Sequence, residues 1–175
     1  MQVSDLREAF ESIVDDRVNN KVLVIWLNEA QEDVALSYGR MIYYDIEAEE
    51  NEDYDLPDDF LKAAEVIDKD NNEYWGFKIS KWGQIRFKES GSYRIYYHKV
   101  PDRIPHGEDG AEPDLHELLH PLLYLYAASM FYDRESLGDP EESAMATKLR
   151  RQYQVALERR VRALRNRERK NRQVG

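Results

Sequence analysis

The sequence predicts an α+β fold, a bundle of about four helices with an antiparallel β meander or small barrel inserted between the second and third. Three observations carry that expectation. Apolar residues recur at helical spacing before residue 40 and again after 120. They alternate with polar ones across much of 41–100. A chain of 175 residues also has room for one domain with a sizeable core and an inserted subdomain.

The first helix is expected from Ser4, as cap, to about Asp16, with Leu6, Ala9, Phe10, Ile13 and Val14 on one face. A short polar turn, Arg17 to Asn20, leads into a second helix. There Val22, Leu23, Trp26, Leu27, Ala30, Val34 and Tyr38 repeat the same spacing, and Gly39 is placed to end it. Two such faces joined by so short a link imply an antiparallel hairpin.

From Met41 the period changes. Met41 to Ala48 reads as a strand, followed by the acidic tract Glu49 to Asp55. The turn Leu56-Pro57-Asp58-Asp59 introduces a strand over 60–68. Strands over 73–80 and 84–88 flank Lys81-Trp82-Gly83, a hairpin turn with glycine available for positive φ. A last strand over 92–100 buries Tyr93, Ile95 and Tyr97 and leaves Arg94, Tyr96 and His98 wet, so five strands are expected.

A loop from Pro101 to Pro113 returns the chain to the helices. The third helix, near Pro121 to Asp133, is apolar almost all round and belongs in the centre of the bundle. Gly138 marks a stop. Asp139-Pro140-Glu141-Glu142 then starts a fourth helix whose core face is Leu149, Tyr153, Ala156, Leu157, Val161 and Leu164. Beyond Leu164 almost nothing apolar remains, which predicts a tail without structure until a partner holds it. The expected division is a helical hairpin over 1–40, a β-rich insert over 41–112, two further helices over 113–165 and a basic tail over 166–175.

Charge follows the same layout. Residues 45–73 hold 13 carboxylates against two lysines, and residues 148–172 hold 11 Lys or Arg against two acids. Two separated fields of opposite sign suit a subunit that docks against other surfaces, itself included, better than an enzyme with a cleft. The overall charge of −10 argues against general DNA affinity outside the C-terminal segment. With no cysteine, disulfides and thiolate zinc sites are impossible. MQVSDLREAF has neither the basic start nor the apolar stretch of an export signal. The longest nearly apolar run, Pro121 to Phe131, is 11 residues, short of the ~20 that span a bilayer.

One motif suggests chemistry. His116-Glu117-Leu118-Leu119-His120 matches the pattern in which two histidines one helical turn apart hold zinc and the glutamate activates water. That geometry needs an unbroken helix, whereas Pro121 follows at once and its ring in a continuing helix would clash with the Glu117 carbonyl. A turn containing His116 and a helix opening near His120 is the simpler expectation. No glycine-rich phosphate loop or nucleophile elbow occurs, and the acidic tract lacks the calcium-loop spacing. No catalytic residue, metal ligand or cofactor is therefore expected. Of the aromatics Tyr43, Tyr44, Tyr74, Trp75, Trp82, Tyr93, Tyr96 and Tyr97, most are expected in the sheet core or a subunit interface, with a base-stacking platform as the alternative.

Four segments together resemble the head-to-tail connector, or adaptor, proteins of tailed bacteriophages. They are Lys21-Val-Leu-Val-Ile-Trp-Leu-Asn-Glu-Ala-Gln-Glu-Asp33, Leu56-Pro-Asp-Asp-Phe-Leu61, Gly91-Ser-Tyr-Arg-Ile-Tyr-Tyr97 followed by Pro101, and the helix Leu122 to Tyr132. The order and spacing of these segments, spread over roughly residues 5 to 157, carry the resemblance. It implies a non-enzymatic virion protein, typically in a ring of twelve copies beneath the portal protein. Such a ring extends the DNA channel and offers a surface to the tail or the next head-completion protein, with DNA in transient passage and no membrane involved. The protein would sit at the head-to-tail interface of the virion, after assembly in the host cytoplasm.

By the same resemblance the C-terminal extension docks on the portal, which makes Arg150, Arg151, Arg159, Arg160, Arg162, Arg165 and Arg167 the portal-contact candidates. Acids facing a channel would let DNA slide without sticking, so Glu47, Glu49, Glu50, Glu52, Asp53 and Asp55 are candidates for the lumen or a subunit interface. The alternative function is a nucleic-acid-binding module using the Arg-rich C-terminus. A zinc metalloenzyme built on His116 and His120 ranks behind both.

Overall fold

The computed structural model describes residues 1–136 and 139–174, with side chains described up to Arg167. Gly138, the expected stop, lies outside the described residues. The fold is α+β: four α-helices and two small antiparallel sheets. The chain divides into two compact units, one formed by residues 1–37 and 101–175 and the other by residues 38–100.

In the helical unit, α1 (Val3–Val14) buries Val3, Leu6, Phe10 and Val14, the i, i+3, i+4 face that its spacing predicts. Asp5 accepts from the Gln2 backbone N–H at 2.9 Å. The helix begins two residues earlier than a Ser4 cap would place it, with Gln2 as the cap. The Val3 and Ser4 N–H groups, orphans at a helix start, donate to the carbonyls of Ala111 and Asp109 at 2.9 and 3.0 Å. Asp15 closes the helix in the left-handed region at φ 53°.

Helix α2 (Asn20–Tyr38) buries Leu23, Val24, Trp26, Leu27, Ala30, Gln31, Val34 and Ala35. It meets α1 through the rings of Phe10 and Trp26, whose centroids lie 6.3 Å apart. Its two buried-side amides reach the returning loop. Asn28 donates to the Ile104 carbonyl at 3.1 Å and accepts from its N–H at 2.8 Å, and Gln31 accepts from the Asp114 N–H at 2.8 Å. Those bonds, together with Arg7 on Asp109, tie the loop to the helices. The helical unit therefore resumes at Pro101, earlier than the expected boundary at 113.

A 3-10 turn (Glu117–Leu119) leads into α3 (His120–Glu135), where Pro121 occupies the first turn without costing a hydrogen bond. α3 lies close against both α1 and α4, and Leu122, Leu123, Ala127 and Ala128 are fully buried. Helix α4 (Pro140–Val174) opens on the expected cap, Asp139 Oδ1 accepting from the Glu141 N–H at 2.8 Å. Its buried row is Ala146, Leu149, Tyr153, Leu157, Val161 and Leu164. Where the sequence suggests an unstructured tail from 166, the backbone instead continues as helix to Val174. Arg, Glu, Lys and Gln are good helix formers, and no Gly or Pro interrupts them before Gly175. At about 1.5 Å per residue, α4 is roughly 52 Å long.

The second unit holds β1 (Met41–Ala48), β2 (Asp53–Asp55), β3 (Phe60–Asp68), β4 (Phe77–Ile79), β5 (Gln84–Phe87) and β6 (Gly91–Lys99). These six strands form neither the five-strand meander nor the closed barrel expected. They make two three-stranded sheets, in the orders β1-β6-β3 and β2-β5-β4. The difference arises because part of the acidic tract, Asp53 to Asp55, is itself a strand paired with β5, while β6 enters between β1 and β3. The strand expected over 73–80 is short because Glu73 makes only an isolated bridge to Ile67. The Lys81-Trp82-Gly83 turn forms as expected, with Gly83 at φ 75° and the Ser80 N–H on the Gln84 carbonyl at 2.8 Å. The unit has its own core, Val66, Ile85, Phe87, Tyr93 and Ile95 with Ala48 and Leu56, drawn from both sheets.

Candidate docking surface

Helix α4 presents two different long faces. One is the buried row that packs on the bundle. The other lies open to solvent and, with Leu118 of the 3-10 turn beside it, borders a volume of about 850 Å³. The helical period creates both. Ala144, Lys148, Arg151, Val155, Arg159 and Ala163 follow each other at three- and four-residue steps, a row turned away from Leu149, Tyr153 and Leu157. Val155, 60% exposed, is its largest exposed apolar side chain, and Lys148, Arg151 and Arg159 alternate along the row with the small residues. The guanidinium of Arg160 donates to the Leu118 carbonyl and ties the 3-10 turn to α4.

The seven arginines singled out in the sequence therefore do different things. Arg151, Arg159 and Arg167 border this volume, and Arg160 braces α4 against the turn. Arg150 sits beside a smaller cleft and pairs with Asp133 at 2.9 Å. Arg165 donates to the Ser37 carbonyl at 3.0 Å, and Arg162 is exposed. Beside Arg150, the Tyr153 hydroxyl donates to Asp33. Burial first, and then that bond, push the Tyr153 phenol well above its ordinary pKa, so it stays a donor.

The six acidic candidates all lie exposed in the β unit, each with a local partner. Glu47 accepts from Ser92 Oγ at 2.7 Å and Glu49 from Ser90 Oγ at 3.0 Å. Glu50 accepts from Asn51 Nδ2 at 3.0 Å, Glu52 from the Tyr54 hydroxyl at 3.4 Å, and Asp55 from Gln84 Nε2 at 3.0 Å. Asp53 takes a two-pronged contact from Arg86, with Nε at 2.8 Å. That guanidinium holds the Asp53 carboxyl below its usual range, as Arg94 does for Asp45. These acids organise turns and sheet edges and do not converge on a single pocket.

The two histidines of the zinc-like motif part company. His116 caps the 3-10 turn, its Nδ1 accepting from the Leu118 N–H at 3.2 Å. His120 begins α3 and is buried, with Nε2 on the Leu115 carbonyl at 3.0 Å and Nδ1 on the N-terminal amine at 3.2 Å. The carbonyl can only accept, so Nε2 carries the proton and Nδ1 receives one from the amine. Both ring nitrogens are thus engaged. Among the described residues, no three His, Asp or Glu side chains gather as a metal site would require. No described helix is long and apolar enough to cross a membrane.

Sequence reasoning missed this open face. Its signal was present as a second row of small residues within the basic segment, but Leu118 joins it only in the folded chain. The aromatics divide as well. Tyr93 and Tyr97 are core residues, as expected, whereas Trp75 and Trp82 are 75% and 78% exposed. Trp82 sits at the hairpin turn, outside the two-faced part of the sheet, with the Lys81 ammonium 4.7 Å from its ring centre. Comparison with protein-family models and with curated proteins matched nothing to this chain.

Proposed function

We propose that this chain is a structural virion protein, a head-to-tail adaptor that forms a ring under the portal, extends the DNA channel and offers the attachment surface for the tail. The observation that carries the reading is the basic, half-apolar face of α4, set on a helix whose opposite face is already occupied by the bundle. A surface that mixes cations with small apolar residues fits a protein partner better than free duplex DNA, which is bound mainly through its phosphates. The order of the four segments that resemble adaptor proteins supports the same reading. So does the placement of opposite charge in different units, the acids of 45–73 in the β unit and the arginines on α4. In this role the protein needs no catalytic residue or cofactor. Its work is registry between neighbouring subunits, the portal and the next completion protein.

Electron microscopy of particles from a phage stock with this gene disrupted tests the proposal. Heads without tails, with DNA lost, are the expected result. Intact infectious particles would remove the adaptor reading.

A further inference from the structure

The β unit carries two exposed features that its own core does not use. The first is the arm from Tyr74 to Lys88, which holds four cations, Lys78, Lys81, Arg86 and Lys88, and no acid. Trp75 and Trp82, each three-quarters exposed, stand toward its start and at its turn, with exposed Ile79 between them in the chain. β4 is the outer strand of its sheet, so the arm also presents an unpaired edge. Register sets Lys78 directly opposite Arg86, with Asp53 on the far side of Arg86. Like charges so placed weaken a sheet, and an external carboxylate beside Lys78 would relieve them.

The second feature has the opposite sign. β1 is an outer strand of the other sheet, and alternation puts Met41, Tyr43, Asp45 and Glu47 on its exposed face. Glu49, Glu50 and Glu52 follow, all exposed, before β2 begins. Arg94 pairs with Asp45, but the partners of Glu47, Glu49, Glu50 and Glu52 are neutral hydroxyl and amide groups, which leave their charge in place. This edge therefore mixes exposed apolar side chains with charge, as the arm does, but with acids for cations. The lengths agree too, since at ~3.3 Å per residue Trp75 to Trp82 and Met41 to Glu47 each span about 20 Å.

We infer that Trp75 and Trp82 anchor a contact between copies of this chain, in which the basic arm of one copy seats on the acidic β1 edge of another. The inference rests on the adaptor reading for the expectation that copies meet, and adds the two surfaces. Charge favours a copy over the other partners that exposed tryptophans take. Residues 38–100 hold 14 acids against nine Lys or Arg, so a nucleic acid or an anionic membrane approaching the arm meets a net negative unit. The complement of the arm, in contrast, is present on every copy. Because the two surfaces are different patches, the contact is head to tail and repeats around a ring or along a chain.

The test is analytical ultracentrifugation of the full chain. Its mean mass should rise above the 20.7 kDa of one copy as concentration approaches about 100 μM, and fall again between about 0.1 and 0.5 M salt. Trp75→Ala and Trp82→Ala, both at exposed side chains, should each weaken association at least about tenfold. Lys78→Glu with Lys88→Glu should abolish it, as should Glu49→Lys with Glu50→Lys. An equimolar mixture of these two double variants should associate again, because each supplies the charge that the other has lost. Circular dichroism checks that every variant folds.

A monomer at every concentration would overturn the inference, as would association that survives both tryptophan changes, or double variants that stay apart when mixed. Duplex DNA or phosphatidylglycerol vesicles bound by the full chain and released by Trp82→Ala would assign the arm to a phosphate-bearing partner and overturn it too. Failure here stays separate from failure of the adaptor reading. Tailless heads from the disrupted stock with a monomeric chain remove only this contact, and association with intact particles removes only the adaptor.

Discussion

His120 shows how one side chain loses a catalytic reading and gains a structural one. Burial, more than any other influence, holds its imidazole below the ordinary value of about 6.5. The unfolded chain therefore binds a proton that the folded chain resists. Stability from this residue is complete above about pH 6.5 and is lost as pH falls below that value. Chemical denaturation between pH 7.5 and 5, approximately, should show this decline, and His120→Gln should flatten it; an unchanged slope would assign the decline to other groups. The carboxylates held low by arginine, Asp45, Asp53 and Asp109, act in a separate window below about pH 4, where acidification removes their contribution. The sequence marked His120 by motif and Pro121 as the obstacle to that motif. It could not show the two ring partners, because Leu115 and the N-terminal amine reach the ring only once the loop before α3 and the start of α1 are in place.

Element by element, periodicity predicted type well. β1 and β3 occupy the residues expected of them, and all but one member of the α4 core row are buried as expected, Ala156 being half-exposed beside the open face of that helix. The Asp139 cap follows from the Asp-Pro-Glu-Glu signature, and Asp139→Ala should cost about 1 kcal/mol in thermal or denaturant unfolding. A loss below ~0.3 kcal/mol would mean that Pro140 alone starts the helix. In the β unit, Phe87 is fully buried and stacks on Tyr93 with centroids 4.3 Å apart. Phe87→Ala should destabilise that unit by about 3–5 kcal/mol, read as lost protection of β5 and β6 amides in hydrogen exchange. Protection unchanged in both strands would show that the core of this unit lies elsewhere. Strand partners were less legible than strand residues. Alternation states which side chains face inward, yet β1 pairs with β6, 43 to 57 residues away, and no local pattern encodes that choice.

For the whole molecule, Leu164 marks the division between what holds the bundle and what projects from it. It is the last buried apolar side chain among those described on α4, so truncation after it should leave the melting temperature within about 2 °C of the full chain. The same truncation removes Arg165, Arg167 and the basic end of the helix. It should abolish co-sedimentation with the portal; unchanged binding would sink the docking proposal. In the full chain that binding should weaken steeply as salt is raised from about 0.05 to 0.5 M, because the charges along α4 are exposed. The sequence by itself determined the α+β class, the order of elements, the faces they bury and the opposite charges of 45–73 and 148–172. All of these depend on residues within a few positions of one another, where the helical and strand periods act. Only the tertiary structure decided that β6 lies between β1 and β3, that carbonyls of the 101–113 loop cap α1, and that Leu118 lies beside the open face of α4. Each of these joins residues far apart in the chain, and such contacts form only where the ordering entropy is offset by burial and hydrogen bonds across the whole unit.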